Sequence, residues 1–147
     1  MSLEHLTDAE IKEALLLKER LESLEKQDKC QESFMDFINH MWPEFICGRH
    51  HKIFAEKLEA IATGKINRLI VNMPPRHTKS EFASTYFPAW VMGRFPNKKI
   101  MQTTHTGELA VRFGRKVRNL MDGEDYGKVS QSRSLLSMVV KLKLQFH

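Results

Sequence analysis

The feature that most constrains this chain is a change of hydrophobic period between residues 68 and 81. Arg68-Leu69-Ile70-Val71-Asn72 is a short, nearly continuous apolar run, the pattern of a strand buried in a parallel sheet. Met73-Pro74-Pro75 stops it abruptly. From Lys79 to about Arg94 the apolar residues Phe82, Ala83, Tyr86, Phe87 and Trp90 recur at helical spacing, and Pro88 among them predicts a kink or a break. Lys99-Ile100-Met101-Gln102-Thr103-Thr104 reads as a second short strand. Thr106 then caps a further helix that turns Leu109, Phe113, Val117 and Leu120 inward. The order strand, loop, helix, strand, helix predicts an α/β fold with a parallel βαβα core and right-handed crossovers.

Helices precede that core. Thr7-Asp8-Ala9-Glu10 fits a capping box, with Leu6 and Ile11 placed as a hydrophobic staple. From there to about Lys29, Ile11, Ala14, Leu15, Leu17, Leu21 and Leu24 form an apolar stripe on an otherwise charged helix. Two readings stay open for this leader: a docking helix, or a helix for self-association. A second helical stretch runs from Gln31 to about His40 and ends at Trp42-Pro43. A third runs from His50 to Ala62, with Ile53, Phe54, Leu58 and Ile61 at helical spacing and Thr63-Gly64 as its stop.

The loop between the first strand and its helix carries the chemistry. In Pro74-Pro75-Arg76-His77-Thr78-Lys79-Ser80-Glu81 the Lys-Ser pair opens the helix. A backbone loop running into a helix N-terminus cradles phosphates; a Lys there reaches the β- and γ-phosphates, and the next hydroxyl can ligand Mg²⁺. Against the pattern G-x-x-x-x-G-K-[ST], the two glycine positions hold Met73 and Thr78. A Cβ at Thr78 crowds a phosphate bound there.

These residues resemble the variant Walker A motif of tailed-bacteriophage terminase large subunits, whose common form reads P-P-R-H-G-K-S-E. The resemblance runs from about Phe34 to Met121. It takes in Arg49-His50-His51-Lys52-Ile53-Phe54 upstream, and Phe87-Pro88-Ala89-Trp90, Thr103-Thr104-His105-Thr106-Gly107-Glu108 and Phe113-Gly114-Arg115-Lys116-Val117-Arg118 downstream. It implies the N-terminal part of a P-loop NTPase domain, from an ATP-driven motor that threads double-stranded viral DNA into a procapsid. In that family the motor is fused to a nuclease. The implied cofactors are ATP and Mg²⁺, held by His51, Pro75, Arg76, His77, Thr78, Lys79 and Ser80. Lys79 would contact the β/γ-phosphates and Ser80 would hold the metal. Arg76 would stabilise transition-state charge or sense the γ-phosphate; its alternative is a loop arginine paired with a nearby carboxylate. His51 matches the polar position of the adenine element; its alternative is a helix-start cap at the surface. The implied partners are the portal protein, the small terminase subunit and further copies in a ring, with no membrane, in the host cytoplasm.

On this reading residues 1–30 form an acidic leader helix, 31–128 the motor portion, and 129–147 an atypical tail. The tail has no acidic residue and reads as out-of-frame, foreign or poorly ordered sequence, with a strand-like run at Met138-Val139-Val140. Asp122-Gly123-Glu124-Asp125-Tyr126-Gly127 reads as a loop. No apolar strand ending in acidic residues follows Thr104, so the carboxylates that hydrolysis needs are missing and the chain is expected to lack turnover by itself. Residues 1–30 hold five Lys/Arg against eight Asp/Glu, and the remainder eighteen against ten, so the body is basic and the leader acidic. A basic body permits a nucleic-acid partner, and Arg112, Arg115, Lys116 and Arg118 on the last helix are the candidates for phosphate contacts; a solvated face is the alternative. Cys30 and Cys47 make neither a disulfide framework nor a metal spacing, which suits a reducing cytosol. Two other functions remain: a standalone nucleotide- or DNA-binding module, and a piece of a different P-loop enzyme such as a small kinase or helicase.

Overall fold

The computed structural model describes residues 7–130, and every regular element among them is helical. Leu6 of the expected staple, and the tail from 131 onward with its Met138-Val139-Val140 run, lie outside the described residues. Helix α1 (Asp8–Glu32) begins with both halves of the capping box: Thr7 Oγ1 accepts the Glu10 N–H at 3.4 Å, and the Glu10 carboxylate accepts the Thr7 N–H at 2.7 Å. Ser33 ends α1 and caps α2 (Phe34–Met41), its hydroxyl accepting the Asp36 N–H at 3.1 Å. Helix α3 (Arg49–Ala62) stops at Thr63, and Gly64 follows with φ 77°, the left-handed conformation that glycine adopts without steric cost.

After the loop, α4 (Lys79–Glu81), a π-helical stretch (Phe82–Tyr86) and α5 (Phe87–Arg94) run on without a gap. The expected disturbance at Pro88 takes this form. Proline has no N–H for the carbonyl four residues back and its ring crowds that carbonyl, so the preceding turn widens, with the Phe87 N–H reaching Phe82 O. Helices α6 (Gly107–Asp122) and α7 (Glu124–Val129) complete the described chain. Thr106 caps α6 through the Leu109 N–H, and Val117 is its buried residue.

Phe34 is the hub of the core. It is fully buried and meets Phe82 and Phe87 edge-on, at 5.8 and 5.7 Å between ring centroids, and Trp90 at 5.4 Å. Edge-to-face pairs add about 0.5–1.5 kcal/mol each to the burial of the rings. The Phe34 N–H, an unsatisfied donor at the start of α2, is accepted by Glu59 of α3 at 2.7 Å. The C-terminal end of α1 is tied to α5 in the same way, because its last carbonyls at Cys30 and Glu32 accept from Trp90 Nε1 and Arg94, each at 2.8 Å.

Two sequence expectations are corrected. The parallel βαβα core of the P-loop NTPase fold is not formed: among the described residues there is no strand. Residues 68–73 and 99–104 form no regular element, and Ile70 and Met101 are 88% and 89% exposed. A helix satisfies its own backbone groups, whereas a strand exists only when a neighbour supplies its ladder; these two segments do not supply it to each other. The expected loop at 122–127 is largely helical, as α7. Tertiary contact decides it. Tyr126 is 2% exposed and donates its hydroxyl to Ala89 O at 2.8 Å, burial that stabilises by about 1.5–3 kcal/mol. Gly93 leaves room for that ring, since a Cβ there would lie 2.7 Å from the Tyr126 oxygen.

Candidate functional site

The loop 73–80 lies against the start of α3, and two of its residues take the left-handed conformation: Arg76 at φ 64° and Thr78 at φ 55°. For a β-branched residue this is a genuine outlier, costing on the order of 1–2 kcal/mol. Thr78 stands where the resembled motif has glycine, and its backbone adopts what glycine would adopt freely. The turn at Thr78 sends the chain directly into α4, so Lys79 and Ser80 open the continuous helical run to Arg94. The first N–H groups of such a run have no partner within the helix, and no side chain caps them here.

The strained residue is held by a chain of hydrogen bonds that fixes one proton arrangement. The Gly48 N–H donates to His51 Nδ1 at 2.9 Å, so the ring proton sits on Nε2. His51 Nε2 donates to Thr78 Oγ1 at 2.9 Å, and that hydroxyl donates to His77 O at 2.7 Å. His51 itself is buried between Phe45, at 4.7 Å, and Phe82, at 5.4 Å between centroids. Burial first, and then the neighbouring His50 and His77, push its imidazole below the ordinary histidine range, which favours the neutral ring that this network requires.

The sequence candidates are placed as follows. Lys79 Nζ reaches back across the loop to donate to Met73 O at 3.2 Å. Ser80, Pro75, Arg76 and His77 are exposed, and His77 Nδ1 donates to Pro75 O at 2.9 Å. Arg76 forms no ion pair among the described residues, so the carboxylate-paired alternative is not what the structure contains. His51 is not a surface residue. Both ring nitrogens serve the fold, one capping α3 and one bracing the loop, and a contact with a base would require one of these bonds to open. Lys116, a candidate phosphate contact on α6, is engaged with Glu81 beside Ser80; Arg112, Arg115 and Arg118 are exposed along the same helix.

Sequence reasoning missed the bracing of the loop by α3. The three-residue spacing Gly48–His51, half of a capping box, signals the first bond; nothing in the sequence signals a partner 27 residues away at Thr78. Also missed was an open groove of about 490 Å³ beside Lys79 and Ser80, walled by Phe54, Leu58, Leu69 and Phe87. A polyphosphate fits the donor set of the loop: an ammonium, a hydroxyl, unpaired helix N–H groups and a free guanidinium. No group of three or more His, Cys, Asp or Glu among the described residues could hold a metal alone, so Ser80 would ligand Mg²⁺ only together with phosphate oxygens. No helix among the described residues is long and apolar enough to cross a membrane. Compared with protein-family models, curated proteins and solved structures, the chain matches none of them.

Proposed function

We propose that this chain binds the triphosphate of ATP with Mg²⁺ in the loop 73–80, as the nucleotide-binding portion of a terminase-type DNA-packaging motor. The observation that carries the reading is the left-handed turn at Thr78, which delivers Lys79 and Ser80 together at the start of a helix. It rests on the loop and its helix and invokes no sheet.

Binding follows from these groups. Lys79 exchanges the Met73 carbonyl for a phosphate oxygen, a stronger charge-assisted bond. Uncapped N–H groups at the helix start favour an anion there, and Arg76 would add a bidentate donor. The Ser80 hydroxyl would be the protein ligand of Mg²⁺, which would supply charge neutralisation for the phosphates. His51 is a positioning residue that keeps Thr78 in its strained conformation. The reading stops at binding, because the acid nearest Ser80 in sequence, Glu81, is committed to Lys116. Double-stranded DNA, a portal protein and a small terminase subunit are partners within the same proposal. The exposed Arg112, Arg115 and Arg118 offer phosphate contacts whose loss would lower the salt dependence of DNA binding.

The test is titration of the full chain with a fluorescent ATP analogue and Mg²⁺, beside Lys79→Ala. Saturable binding that weakens at least about tenfold in the variant supports the reading, on the scale of one charge-assisted contact. Binding that Lys79→Ala leaves unchanged, or none by a chain with intact helical circular dichroism, overturns it.

A further inference from the structure

Among the described residues, helix α1 packs on the body through its C-terminal half, against α2, α5 and α7. Cys30 is buried against the body, whereas Leu17, Leu21 and Leu24 are 58%, 53% and 48% exposed. The residues facing the cleft towards α7 are Glu19, Glu22, Ser23 and Lys26. At about 100° per residue, Ala14, Leu17, Leu21 and Leu24 fall on the opposite side, pointing away from the molecule. Their spacing of three, four and three places them at alternating a and d positions of two heptads.

We propose that this face pairs with the same face of a second copy, as a short parallel two-stranded coiled coil. Charge selects both the occupant and its orientation. With Ala14 and Leu21 at a, the g positions are Glu13 and Arg20 and the e positions are Lys18 and Glu25. In a parallel pair each g residue faces the e residue five positions on in the partner. That sets Glu13 against Lys18 and Arg20 against Glu25, opposite charges on both flanks. The antiparallel arrangement brings Arg20 to Arg20 and Lys18 to Lys18, which repel. Two heptads make a weak seam, so the pairing is concentration-dependent. It is independent of the nucleotide reading, since no loop residue takes part.

Sedimentation equilibrium of the full chain between about 10 µM and about 1 mM tests it, a span that brackets weak coiled-coil affinities. The wild type is expected to shift from monomer towards dimer across this range, and Leu21→Lys to stay monomeric with unchanged helical circular dichroism. Arg20→Glu should weaken the dimer about tenfold by placing like charges across both flanks, and the double change Arg20→Glu with Glu25→Arg should restore it. A wild type that stays monomeric throughout overturns the proposal. So does association that survives Leu21→Lys, which would go through another surface such as the groove beside Lys79. A double variant that remains as weak as Arg20→Glu overturns the parallel register.

Discussion

The two flanks of the candidate loop carry similar apolar residues and meet opposite fates. On the helical flank, Phe34, Phe54 and Phe82 are at most 5% exposed and pack ring against ring. On the irregular flank and in the second strand-like run, Ile70, Ile100 and Met101 stand in solvent at 88%, 42% and 89%. The difference lies in the backbone rather than in hydrophobicity. Each helix closes its own hydrogen bonds and can then offer a whole apolar face, while the irregular segment buries side chains singly: Leu69, Val71 and Met73 pack against the core and Ile70 between them does not. The loop is held from both sides, by His51 of α3 and by Met73, whose carbonyl accepts from Lys79 and whose side chain packs against the core.

The sharpest way to break this comparison is Phe34→Ala, which removes the hub of the helical flank. It should cost about 3–5 kcal/mol, read as a lowered denaturant midpoint, because the aromatic cluster cannot collapse onto the cavity. A loss under about 1 kcal/mol would mean that the cluster does not hold the body together. Thr78→Gly tests the junction of the flanks. Relief of the left-handed strain opposes loss of the hydroxyl bonds to His51 and His77 O, so the net change in stability should be small, within about 1 kcal/mol, while nucleotide affinity rises. A large destabilisation would show that the bond to His51 outweighs the strain.

A pH titration probes the same junction. His51 is lowered chiefly by burial, and His40 likewise, followed in its case by Lys26. The unfolded chain therefore takes up these protons first. The stabilisation is complete above about pH 6.5 and is lost as the pH falls towards the folded values. The melting temperature should drop as the pH falls below about 6.5, and the slope should flatten in His51→Gln. An identical slope in that variant would remove His51 as the source. The smallest effect belongs to the irregular flank: Ile70→Ser should change stability by less than about 0.5 kcal/mol, since the side chain buries almost nothing. A clear loss there would reveal a contact that its exposure denies.

Signals that act within a few residues were legible. Thr7 with Glu10, Thr63-Gly64 and Thr106 fixed helix ends where they occur, and the position of Lys79 and Ser80 at a helix start was readable from the break at Pro74-Pro75. The left-handed conformation of Thr78 was not legible, since a β-branched residue disfavours it. The apolar stripe of α1 was visible, but the exposure of Leu17, Leu21 and Leu24 was not.

Sequence by itself determined where α1 and α6 begin, through their threonine caps, and which loop gathers cationic and hydroxyl donors. Those are matters of local backbone geometry and residue chemistry. The tertiary structure alone decided that two strand-like runs stay unpaired, that residues 124–129 coil around the burial of Tyr126, and that His51 braces Thr78. Each depends on a partner far away in the chain, and a periodic pattern announces an apolar face without naming what will cover it.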